Sequence, residues 1–160
     1  MKSFLKSFKV AFRGIGFAIK NERNMRIHLV VGGYVVLFSL FYNFSITEYA
    51  VICFTLALVL AAEMINTSIE AVVNLLTTHF DPLARVAKDV AAGAVLVCSI
   101  FAAIIGVLFF WNTQVFIRIL NFYRQNPVFL VSIITTVIAS VYFIFFGFKK
   151  ADRIKNNRKK

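Results

Sequence analysis

Residues 63–74 read EMINTSIEAVVN and continue the apolar run YAVICFTLALVLAA (49–62) without a break. Two glutamates, two asparagines, a threonine and a serine therefore sit at the end of what reads as a membrane-spanning helix. On a helix turning 100° per residue, with Glu63 as origin, Asn66 falls at about −60°, Glu70 at about −20° and Asn74 at about +20°. The four share one polar stripe, while Met64, Ile65, Ile69, Val72 and Leu76 fall elsewhere. A carboxylate inside a span costs roughly 3 kcal/mol on insertion scales, so it reads first as a functional group. The alternative is a stripe of interhelical hydrogen bonds. Asn66 and Thr67 would suit that role. Two glutamates seven residues apart suit it poorly.

The rest of the chain agrees with a membrane setting. Of 160 residues, 60% are hydrophobic and 19 are Phe, and the mean hydropathy is +0.81. A soluble domain carries roughly half apolar residues. Apolar stretches at 29–47, 49–66, 91–111 and 128–148 are each long enough to cross a bilayer. The first two are joined by a short turn at NFSIT, and the third follows the polar loop THFDPLARVAKD. An amphipathic connection, NTQVFIRILNFYRQNP, leads to the fourth, with Pro127 suited to its first turn. Lys2, Lys6, Lys9 and Arg13 oppose Phe4, Phe8, Ala11 and Ile15, the pattern of a helix lying in the interface. Those same cations leave no continuous apolar region for a secretory signal. Cys53 and Cys98 lie inside apolar runs and imply no disulfide framework.

Charge sets the expected orientation. With both termini inside, sixteen of the 18 Lys and Arg face the cytoplasm and only Arg118 and Arg124 face outward. The net charge of +11 is thereby explained by topology and requires no nucleic-acid partner. Of seven acids, Glu22, Glu63, Glu70, Asp81 and Asp89 then converge on the inner face. Carboxylates crowded together repel one another. A divalent metal relieves this, and hard oxygen donors suit Mg²⁺ better than Zn²⁺. His28 and His79 are isolated in sequence and read as interfacial residues. Carboxylates with Mg²⁺ and Lys88 suggest nucleotide phosphate chemistry, although no glycine-rich phosphate loop is present.

Three segments, NERNMRIH (21–28), EMINTSIEAVVN (63–74) and ARVAKDVAAGAVL (84–96), resemble the small prokaryotic diacylglycerol kinase family in order and spacing. The ERNMRIH version is similar to an undecaprenol kinase-like branch. The resemblance implies an all-α integral membrane protein with an interfacial N-terminal helix, a three-span kinase core and, here, an additional C-terminal span. The expected organisation is a core at 1–111, an external connection at 112–127, a fourth span at 128–148 and a basic cytoplasmic tail at 149–160. It further implies a homotrimer in the bacterial cytoplasmic membrane, with sites between neighbouring chains, ATP as co-substrate and Mg²⁺ as cofactor. Its substrate would be a lipid alcohol, undecaprenol or else diacylglycerol. By position Glu63 matches the catalytic base, Glu22 and Glu70 the metal- and nucleotide-binding glutamates, and Asn66 an asparagine orienting the reacting groups. Lys88 matches a phosphate contact, Asp89 a residue near the adenosine, and His79, Phe80 and Asp81 further nucleotide contacts. Two departures stand out: Asn74 replaces an acid found in many relatives, and the fourth span exceeds the common core. The reading of another class, a multimeric proton or cation transporter, would want its carboxylate near the midplane, whereas Glu63 and Glu70 lie toward the inner end.

Overall fold

The computed structural model describes residues 2–77, 79 and 81–146. Six helices follow in order: α1 (Lys2–Asn21), α2 (Arg23–Ser39), α3 (Ile46–Leu76), α4 (Pro82–Phe110), α5 (Thr113–Gln125) and α6 (Pro127–Phe146). The described residues contain no strand. Helices α3, α4 and α6 are long and apolar enough to cross a membrane. At 17 residues, α2 rises about 26 Å, close to the roughly 30 Å of a hydrocarbon core. The chain is a multi-pass, all-α membrane protein. Residues 147–160, which include the expected basic tail and the end of the expected fourth span, lie outside the described residues, as does Phe80.

The boundaries differ from those read off hydropathy, and each difference has a local cause. The first helix of the hairpin runs 23–39 rather than 29–47. Its end is hidden in sequence because the turn itself is apolar and aromatic: Leu40, Phe41, Tyr42 and Phe44. Ser45 then starts α3 through a reciprocal capping box with Glu48, which satisfies two of the donors a helix start leaves open. Helix α3 continues beyond 66 to Leu76, carrying the polar stripe out of the span. The polar loop expected before the third span is short, because Asp81 accepts from the backbone N–H groups of Leu83 and Ala84 and Pro82 opens α4. Most of that segment is thus helix. The connection at 112–127 is also helical, capped by Asn112 through Gln114 N and Val115 N.

Helices α3 and α4 form the most extensive contact, an antiparallel hairpin against which α2 packs on α3, while α6 packs on α2. The approach of α2 to α3 is close at Gly32, where an added Cβ would stand 3.3 Å from Leu56 Cδ2. Apolar side chains mostly point outward, as a lipid-facing surface requires. What is buried includes a polar set: Arg26, Ser39, Glu63, Asn66 and Thr67. Along α1, Phe4, Phe8 and Phe12 project from the protein while Ala18 is buried against it, consistent with an interfacial helix.

The antiparallel packing gives the bundle two ends. At one lie the α1–α2 elbow, the end of α3, the start of α4 and the last turn of α6. At the other, aromatic rings gather around the α2–α3 turn. Phe44 packs on Tyr42, Tyr49, Phe109 and Phe110, and Phe41 packs on Phe122 and Tyr123 of α5. The Tyr42 hydroxyl donates to Phe110 O at 2.8 Å, tying the turn to the end of α4.

Candidate active site

The polar stripe of α3 survives in the structure as expected, and its first member is its most enclosed. Glu63 is 1% exposed. Asn66 and Thr67, one turn on, are also buried, and the Thr67 hydroxyl donates to Glu63 O at 2.8 Å. Thr67 is thus satisfied by its own helix, which leaves the Glu63 carboxylate and the Asn66 amide as the polar groups needing partners. Glu63 Oε1 and Asn66 Oδ1 are both buried without a hydrogen bond. An orphaned buried oxygen costs about 1–3 kcal/mol, more when charged. Two on adjacent turns mark a place built to hold something.

Around Glu63 the elbow between α1 and α2 contributes the second group. Glu22 is the single extended residue between the helices, and its side chain does not cap α2. The charges of Glu22 and Glu70 lie close enough to act on Glu63, and the Asn24 side chain reaches its carboxyl. His28, one turn into α2, places Nε2 3.5 Å from Glu63 Oε1. His28 was read from sequence as interfacial, and the structure adds its contact with Glu63. It depends on how α2 docks on α3, which sequence spacing cannot reveal.

The oxygen donors here are of the type a hard dication takes. Among the described residues no three His, Cys, Asp or Glu side chains come together as a ready-made metal site. The residues present fit an ion that draws the rest of its shell from phosphate oxygens and water, as Mg²⁺ commonly does.

Two cavities adjoin the stripe. An apolar groove of about 370 Å³ runs between α2, α3 and α4, lined among others by Gly32, Leu56, Val59, Ala103 and Phe110, with His28 at one end. A polar cleft of about 530 Å³ lies beyond, between the end of α3 and the start of α4, and includes Asn74, His79, Asp81, Arg85 and Lys88. In that cleft Lys88 Nζ donates to Asn74 Oδ1 at 2.8 Å. Asn74, set aside in the sequence reading, is therefore the residue that aims the lysine. An acid there would hold Lys88 as an ion pair. A neutral amide leaves its charge uncompensated by this partner.

The remaining sequence-predicted residues divide. Lys88, His79 and Asp81 share the cleft, but Asp81 is committed to capping α4. Asp89 is not among the lining residues; it pairs with Arg85 at 3.8 Å on an exposed face. Arg85 and Thr77 line the cleft and were not singled out from sequence. The signal for Arg85 was its place one turn before Lys88 and Asp89. Along α3, Asn74 lies eleven residues beyond Glu63, about 16 Å of helix rise, with Glu70 between them, one turn from Asn74.

The helical membrane bundle thus holds a buried glutamate, an apolar groove and a polar cleft with a lysine, and its similarity to known proteins makes it a membrane lipid kinase. The chain belongs to the prokaryotic diacylglycerol kinase family, whose profile matches residues 9–110. It is similar to the undecaprenol kinase of Bacillus subtilis, with 38% identity over 110 residues that cover 69% of this chain and 89% of that protein. Similarity to a diacylglycerol kinase of Synechocystis is 38% over 105 residues, covering 65% of this chain and 60% of that one. A diacylglycerol kinase of Helicobacter pylori is 31% identical over 107 residues, covering 65% and 84%. The family match ends at the last residue of α4, so α5 and α6 lie beyond it. A kinase of this family takes a nucleotide and a lipid as its two substrates.

Proposed function

We propose that the protein transfers the terminal phosphoryl group of ATP, as its Mg²⁺ complex, to the hydroxyl of undecaprenol. The observation that carries this reading is Glu63: a buried carboxylate with an unpartnered oxygen, beside a histidine that opens on an apolar groove. A long hydrocarbon chain suits that groove, and its hydroxyl would meet Glu63 at headgroup depth. Glu63 accepts the hydroxyl proton as the oxygen attacks phosphorus, the role of a general base. Asn66 orients the reacting groups through its free amide oxygen. Glu22 and Glu70 hold Mg²⁺, which supplies charge neutralisation on the phosphates, and Lys88 contacts the phosphates from its cleft. His79, Phe80, Asp81 and Asp89 are assigned to the nucleotide by their position in the chain. The exposed Arg85–Asp89 pair would have to open for Asp89 to serve. The family resemblance supports a homotrimer with sites completed by a neighbouring copy. Both termini face the cytoplasm in this reading, where ATP is available.

Undecaprenol is preferred over diacylglycerol on the segment ERNMRIH and on the similarity to a protein named undecaprenol kinase. The test offers both lipids to the purified protein with labelled ATP. Label should enter undecaprenyl phosphate in preference. Equal or greater labelling of phosphatidic acid would reverse the lipid assignment and leave the kinase reading intact.

A further inference from the structure

Arg26 is 9% exposed, and its guanidinium bonds the backbones of two other helices, α1 and α6, at once. Its NH1 donates to Ile19 O at 3.0 Å and to Lys20 O at 3.2 Å, in the last turn of α1. Its Nε donates to Ile144 O at 3.2 Å, near the end of α6. The last carbonyls of α1 lack partners within it, and a cation there also meets the negative end of that helix dipole. A planar five-donor guanidinium can serve both helices together, which a lysine cannot. Arg26 also stands one turn into α2, four residues after the elbow residue Glu22. Two further contacts seat α6 on the same helix. The Tyr34 and Ser140 hydroxyls are 3.2 Å apart, and Arg23 lies over the Phe145 ring at 5.9 Å from its centre.

We propose that α6 is a strut for the site: it fixes the α1–α2 elbow through Arg26, and Arg26 thereby acts as a positioning residue for Glu22. Helix α6 has no acid, Lys, Arg or His and cannot take part in the chemistry directly. Its contribution is a backbone carbonyl. The elbow is one extended residue between two helices, with no side-chain cap, so its angle is set by what ties α1 to α2. Arg26 is a side-chain tie across it, beside the backbone bond from Glu22 N to Ala18 O, and α6 holds Arg26 in place. The fold of the hairpin α3–α4 does not depend on it. The consequence for catalysis rests on the assignment of Glu22 to the metal and nucleotide.

The test separates geometry from activity. Spin labels are placed at Lys9→Cys on α1 and Ala57→Cys on α3, in a chain carrying Cys53→Ser and Cys98→Ser. This chain is diluted with unlabelled copies in bilayers. The distance distribution should be narrow in the full chain. It should broaden in Arg26→Lys, in Ser140→Leu and in a chain ending at Asn126, and Arg26→Lys should add nothing once α6 is gone. In parallel, the KM for Mg²⁺–ATP should rise about tenfold in the same variants, with kcat within about twofold. Unchanged distances in Arg26→Lys and Ser140→Leu would overturn the strut, as would broadening by Arg26→Lys that neither Ser140→Leu nor removal of α6 reproduces. Broadened distances with an unchanged KM would uphold the strut and remove Glu22 from the nucleotide site.

Discussion

The two ends of this bundle are held by opposite means. At the aromatic end, the rings of Phe44, Tyr42, Tyr49, Phe109 and Phe110 fill the space around the α2–α3 turn, and the Tyr42 hydroxyl has its carbonyl. At the polar end, Glu63 and Asn66 are more deeply buried than those rings, yet each keeps an oxygen with no hydrogen bond. Rings of this kind anchor a membrane protein at its interface with water. The polar end packs Ala18 and Met25 closely as well, but leaves these two oxygens without a hydrogen bond. Helix α3 joins the two ends, with its capping box at Ser45 near one and its buried carboxylate at Glu63 toward the other.

Substitutions at each end can break that contrast. The largest effect is expected from Glu63→Gln. The isosteric amide keeps the packing and removes the base, so phosphoryl transfer should fall by roughly a thousandfold while ATP still binds. Near-normal turnover would take Glu63 out of the mechanism. Next are Glu22→Ala and Glu70→Ala. Each should raise the Mg²⁺ concentration for half-maximal activity by about tenfold or more, since a hard dication depends on its few anionic ligands. Titrations that match the unsubstituted protein would place the metal elsewhere. Lys88→Ala should weaken ATP by about tenfold, as loss of one charge-assisted contact does, and Asn74→Ala should do the same more weakly by releasing the lysine. Steady-state KM values for both would check this. Smallest in activity is Phe44→Ala at the other end. It should cost about 1–2 kcal/mol of stability, since the ring is only partly buried, read as a lower denaturation midpoint in detergent, with kcat per folded molecule within about twofold. A selective loss of kcat would show that the two ends are coupled.

How much of this was legible beforehand depended on whether the signal was local. The stripe of Glu63, Asn66, Glu70 and Asn74 follows from helical geometry alone, and the long apolar helices from hydropathy. The end of α2 was not legible from hydropathy, since Leu40, Phe41, Tyr42 and Phe44 look like span while forming a turn. The capping pattern at Ser45 and Glu48 was the available clue. Contacts between helices left no trace in periodicity. His28 against Glu63, Arg26 between α1 and α6, and Lys88 on Asn74 all depend on how separate segments dock. The resemblance supplied roles for residues but could not speak for α6, which lies outside it, and there the docking contacts are new information.

The central claim is that the polar end passes phosphate from a nucleotide to a lipid. It is tested most directly by following terminally labelled ATP with the purified full chain in bilayers containing undecaprenol, with and without a chelator. The predicted result is label in the lipid fraction, abolished by chelation and restored by added Mg²⁺, with the Glu63→Gln chain silent under all conditions. Label that never enters undecaprenol or diacylglycerol, or that enters equally in the Glu63→Gln chain, would contradict the account.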